Sequence, residues 1–94
     1  MFDLYFRPKA SKTLKNVERK IQLKINCALD DIKLGRFGSR DIKNIEGTNF
    51  GYRLRIGRWR ILFTFLKKER KIEIVDIFLK KSRDDYKKRK HLLI

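Results

Sequence analysis

Cross-linking residues are almost missing from this chain: of its 94 residues, one is cysteine and one histidine, and proline, methionine and tryptophan also occur once each. Cys27 has no partner for an internal disulfide, and a lone Cys with a lone His cannot complete a zinc site of the Cys/His type, so no cofactor is expected. Stability must come from packing. A chain of 94 residues supports one modest core and not two, so residues 1–94 are expected to form a single domain. Long apolar runs are absent too. None approaches the roughly 20 residues that span a bilayer, and the N-terminal MFDLYFRPKA alternates like a strand where a secretory signal carries an apolar segment. These absences predict a soluble cytoplasmic protein with no membrane partner. Acidic residues are the last scarcity, at 11 against 26 Lys and Arg, which leaves a formal net charge of +15. A domain this basic is expected to meet phosphate backbones, with nucleic acid the leading partner.

The most informative segment is Tyr52 to Phe65, YRLRIGRWRILFTF. Gly57-Arg58 suits a type II′ turn, and a hairpin about it pairs Ile56 with Trp59, Arg55 with Arg60, Leu54 with Ile61, Arg53 with Leu62 and Tyr52 with Phe63. Alternation then sends Tyr52, Leu54, Ile56, Trp59, Ile61, Phe63 and Phe65 to one apolar face and Arg53, Arg55 and Arg60 to the other. Like charges set opposite one another destabilise a sheet, so this cluster implies a polyanionic ligand that offsets the repulsion.

Around the hairpin, Phe2 to Arg7 reads as a first strand ended by Pro8, which favours the first turn of a helix. Leu14, Val17, Ile21, Ile25, Ala28, Leu29 and Ile32 recur every three or four residues, predicting one or two amphipathic helices over about 9–34, with a hairpin near Lys15 to Val17 and Gly35 as the stop. Residues 35–42 read as a loop, Lys43 to Ile45 as a short strand, and Ile72 to Leu79, IEIVDIFL, as a central strand. The basic tail from Lys80 can form a helix through about Arg89. The fold class is α+β: an N-terminal strand and helical hairpin, then antiparallel strands, with helices packed on one face of the sheet.

Three features together resemble the RelE/ParE superfamily of bacterial toxins: the basic strand-turn-strand YRLRIGRWRILFTF, the apolar strand IEIVDIF, and the basic C-terminal stretch KKSRDDYKKR with its tyrosine. The resemblance covers nearly the whole chain. It implies a RelE-like fold and the toxin role of a type II toxin–antitoxin pair, acting as a metal-independent mRNA endonuclease on mRNA in the ribosomal A site. The implied partners are a cognate antitoxin, mRNA and the ribosome, with the free toxin a monomer. By position the resemblance assigns catalytic roles to Arg53, Arg55, Arg60, either Lys80 or Lys81, and Tyr86. Further RNA contacts fall to Lys43, Arg58, Arg83, Lys87 and Lys88. Many members carry a His-Arg pair before the tyrosine, and here Lys81-Ser82-Arg83 stands in its place. The ParE branch, associated with poisoning DNA gyrase, is the alternative, and a family member that only binds RNA is a third.

Metal-free RNA cleavage needs the 2′-OH deprotonated, the pentacoordinate phosphate neutralised and the leaving oxygen protonated. A guanidinium stays charged at any working pH, so the three arginines read as a phosphate clamp and not as bases. Lys81 and Tyr86 rank first as proton carriers, ahead of Lys80 and Asp76, and Tyr86 can also stack on a splayed base. Trp59 reads as core, Cys27 as a small apolar filler beside Ile25 and Leu29, and Asp76, odd within an apolar strand, as the partner of a nearby arginine.

Overall fold

A computed structural model describes residues 1–82 and 84–93. Arg83, expected to contact RNA, lies outside the described residues. The elements run β1 (Asp3–Phe6), α1 (Pro8–Asn16), α2 (Arg19–Lys33), a 3₁₀ turn (Phe37–Ser39), β2 (Ile42–Asn44), β3 (Gly51–Ile56), β4 (Trp59–Leu66), β5 (Lys71–Leu79), α3 (Asp84–Arg89) and a final 3₁₀ turn (Lys90–Leu93). Pro8 opens α1 with its missing donor at no loss. Gly35 follows α2 in the left-handed region at φ +80 and returns its N–H to the Ile32 carbonyl.

The hairpin forms in the register read from the sequence, from Ile56 opposite Trp59 to Tyr52 opposite Phe63, and Gly57 takes the positive φ of +59 that the turn requires. The sheet order is β1-β5-β4-β3-β2. Strands β2 to β5 are antiparallel neighbours, whereas β1 pairs parallel with β5, Asp3 facing Lys71 and Phe6 facing Ile74. The strands after the helical hairpin are antiparallel as expected, and the parallel first strand makes the sheet mixed. Hairpin signals report only sequential neighbours, and β1 reaches its partner across the whole helical hairpin.

The α1–α2 hairpin covers one face, placing Ala10, Ile25, Ala28, Leu29 and Ile32 against Leu54, Ile61, Phe63, Ile72, Ile74 and Ile77. Each large side chain buried there contributes about 1.5–3 kcal/mol. Trp59 is half-buried and packs against this core, as expected. Cys27 is instead exposed: the helical period that turns Ile25, Ala28 and Leu29 inward turns it outward, where its Sγ lies 3.5 Å from Arg40 Nη2. Helices do not share one face. The C-terminal segment crosses the other side of the sheet, where Leu93 joins Leu62, Val75 and Phe78 in a second apolar cluster flanked by Ile45, Tyr86 and Leu92.

One irregularity reconciles the two faces. Leu62 faces Asp76 while the next residue, Phe63, faces Ile74, so Val75 is an extra residue in β5. Ile74 and Ile77 both belong to the helical core although they are three apart, and the two residues between them turn to the outer face. An unbroken alternation would have driven Asp76 into the helical core. Deleting Val75 should therefore leave every other side chain of β5 on its present face and give a folded protein, weakened by about 1.5–3 kcal/mol for the lost valine. Deleting Ile77 should shift Phe78 to the wrong face and abolish cooperative melting. Thermal unfolding with near-ultraviolet circular dichroism of both variants checks the pair; equal damage would rule out the bulge as the register device.

Candidate functional site

Two rows of side chains cross the outer face, each set by strand register. In one, Lys43 of β2 faces Arg53 of β3, Arg53 faces Leu62 of β4, and Leu62 faces Asp76 of β5. In the other, Arg55 faces Arg60, which faces Phe78. The sheet thus grades from cationic at the β2–β3 edge to apolar near β5, where α3 lies across it.

Between that edge and the C-terminal segment runs a cleft of about 420 Å³, lined by Lys43, Glu46, Arg53, Tyr86, Lys87 and Lys90 with Asn44 and Ile45. Four residues singled out in the sequence therefore meet: Arg53, Tyr86, Lys43 and Lys87. The others among the described residues stand apart from its lining. Arg58 is exposed in the hairpin turn and Lys81 is exposed before α3. Lys88 faces away, lining a separate hollow with Arg7, Lys9 and His91. Lys80 sits over the Tyr86 ring, its Nζ 5.2 Å from the centroid, a cation–π distance that links it to the cleft through the tyrosine.

The arginines are not left to repel one another. Arg53 Nη1 donates to Asp41 Oδ1 at 3.0 Å, and Arg55 Nε lies 3.8 Å from Asp41 Oδ2. Asp41 bridges both, and the Arg53 hydrogen bond, reinforced by the charges of Arg53, Arg55 and Lys43, holds its carboxyl below the usual carboxylate range. Arg60 folds back along the hairpin and donates through Nη1 to the carbonyls of Gly57 at 2.8 Å and Trp59 at 3.0 Å. The like-charge pair of Arg55 and Arg60 is thus compensated within the molecule, more fully than the sequence alone implied. Asp85 organises the entry to α3: its Oδ2 accepts the Lys81 and Ser82 N–H groups at 2.6 and 2.9 Å, and those bonds lower its pKa. Asp41, Glu46, Asp85 and Lys90 were missed in the sequence. Asp41 carried a signal, since it ends a glycine-rich loop directly before the strand that must pair with the arginines. No three His, Cys, Asp or Glu side chains gather as a metal-binding group among the described residues.

No protein-family profile and no curated protein matches the chain by sequence. Solved structures do match. The isolated Escherichia coli RelE toxin superposes with a TM-score of 0.75 at 10% identity, over 100% of both chains. The toxin–antitoxin complex RelB-RelE of Methanococcus jannaschii gives 0.72 at 26% identity, over 87% of this chain and 96% of that one. The YoeB dimer of Staphylococcus aureus gives 0.64 at 21%, over 86% and 97%. With its five-stranded mixed sheet, helical hairpin and C-terminal helix across the outer face, the chain is RelE-like in fold, as the resemblance in its sequence implies.

Proposed function

We propose that this protein is the toxin of a type II toxin–antitoxin pair and cleaves mRNA in the ribosomal A site, from a cytoplasmic location. The observation that carries the reading is the cleft that joins Arg53 of the sheet to Tyr86 of α3, flanked by Lys43 and Lys87. Four cations, Lys43, Arg53, Lys87 and Lys90, and a phenol in one groove suit a phosphodiester with a base stacked beside it. Arg53 and Arg55 exchange Asp41 for phosphate oxygens when RNA enters, a replacement of one anion by another that needs no rearrangement of the strand.

In the reaction, the 2′-oxygen bonds to phosphorus as its proton leaves to a base, and the 5′-oxygen departs as it takes up a proton. Arg53 neutralises the pentacoordinate phosphate between these events. Among the described residues Glu46 is the carboxylate that lines the cleft, which supports it as the acceptor of the first proton, with Lys81 the alternative read from the sequence. Tyr86 stacks on the base or delivers the second proton, under the positive field of Lys80. Arg60 contributes long-range charge unless it leaves the turn carbonyls, and Lys87, Arg58, Arg83 and Lys88 steer the RNA.

A cognate antitoxin is the second partner, and the RelB-RelE complex of Methanococcus jannaschii supports it. A disordered segment that folds over the cationic cleft would neutralise it. Co-expression with the neighbouring gene product is expected to yield a tight complex and relieve growth arrest.

Arg53→Ala should lower cleavage about 10²–10³-fold, as loss of one transition-state donor does, and reduce the salt slope of RNA affinity by about one. Arg60→Ala should lose less, its guanidinium being held at the turn. Primer extension on translated mRNA, run beside a gyrase supercoiling assay, decides: gyrase inhibition without cuts would move the protein to the ParE-like reading.

Asp41 also predicts a pH dependence. Its depressed pKa means that its contribution to stability is present above the ordinary carboxylate value of about 3.9 and is lost as pH falls through the lowered folded value. Urea unfolding across acid pH should show wild type and Asp41→Asn converging at the lowest pH and separating as pH rises; a constant gap would sink the Asp41–Arg53 assignment.

A further inference from the structure

Asp76 is an uneconomical residue for its place. It is fully buried in a strand whose neighbours are Val75 and Ile77, and an aliphatic side chain there would stabilise the fold as well as an ion pair or better. Its contacts run in one direction. Oδ2 accepts Arg89 Nε at 2.7 Å, and Oδ1 accepts the Ile77 N–H at 2.9 Å, so both oxygens are occupied. The Arg89 guanidinium lies 3.8 Å from the centroid of the Phe78 ring and donates through Nη1 to the Asp85 carbonyl at 3.1 Å. Phe78 in turn meets Tyr86 edge to face, with centroids 6.0 Å apart and planes at 74°. A continuous path of contacts therefore leads from a buried carboxylate to the ring that enters the cleft.

We propose that Asp76 and Arg89 are positioning residues that fix the Tyr86 ring in the cleft. α3 has only six residues, too few to be stable alone, so the direction of its tyrosine depends on what anchors it. Leu93 supplies apolar area without direction. The hydrogen bond from Arg89 supplies direction, because a guanidinium bonded to a carboxylate and seated over an aromatic ring has few alternative poses. The bulge at Val75 serves the same end by turning Asp76 toward α3.

The role assigned to Tyr86 rests on the nuclease reading, so the test separates the two. Ring-labelled tyrosine NMR follows Tyr5, Tyr52 and Tyr86 in wild type, Asp76→Asn, Arg89→Gln and Arg89→Lys, with Tyr86→Phe identifying the Tyr86 signals. Asp76→Asn and Arg89→Gln should move the Tyr86 signals toward those of free tyrosine and leave Tyr5 and Tyr52 in place, and Arg89→Lys should restore them in part. Cleavage should show kcat reduced about 10–100-fold, the scale of a misplacement near 1 Å, with KM for RNA little changed. If Asp76→Asn does not fold, Arg89→Lys, which keeps a cation beside the carboxylate, carries the test through the same signals. Tyr86 signals unmoved in the folded variants would overturn the proposal, as would displaced signals with kcat intact. Displaced signals in a protein whose wild type cuts no RNA would leave the positioning role standing and remove the nuclease reading alone.

Discussion

The outer face depends on the phase of one strand. β5 is buried on both sides, so each of its residues must suit either the helical core or the layer under α3, and a shift of one position would exchange the two sets. The bulge at Val75 sets that phase. Downstream of it, Asp76 and Phe78 point to the C-terminal segment; upstream, Ile72 and Ile74 point to the helices. The strand thereby serves the helical core through Ile72, Ile74 and Ile77 and forms the floor beneath the C-terminal segment through Val75, Asp76 and Phe78.

A scarcity of carboxylates shapes the rest of the surface. Asp31 pairs with both Arg36 and Arg40, Asp41 with both Arg53 and Arg55, while Asp76 and Asp85 converge on Arg89. Every salt bridge among the described residues uses arginine, and none uses lysine. The planar, weakly hydrated guanidinium suits fixed pairing, while the strongly hydrated ammonium stays in solvent. Arginines are thus held in fixed pairs, and the lysines leave a positive surface field that no salt bridge among the described residues cancels.

Much of this was legible in the sequence where the determining interactions are local. The register of β3 with β4 follows from Gly57 and strict alternation, and the helical hairpin from spacings of three and four broken near Val17. The pairing of Asp76 with an arginine followed from the cost of burying a carboxylate alone, although its partner, Arg89, lies in an element whose placement was not readable. What escaped was non-local: the parallel pairing of β1, the face chosen by α3, and the bridging by Asp41. The site was half visible for the same reason. Residue types marked the cations, but only the path of the C-terminal segment shows that Tyr86 and Lys87 enter the cleft of Arg53 while Lys88 turns away.

The parallel partnership of β1 with β5 has a consequence for the timing of synthesis. Residues 3–6 find their neighbours only at residues 71–74, after the helical hairpin and three other strands have emerged. Until then the first strand has no partner, and the inward stripe of α2 lacks the Ile72, Ile74 and Ile77 part of its floor. α3, made after all five strands, also bears Tyr86, Lys87 and Arg89. A nascent chain of this fold therefore carries Arg53 before Tyr86 has been made, and the cleft the two residues line forms only after α3 has emerged.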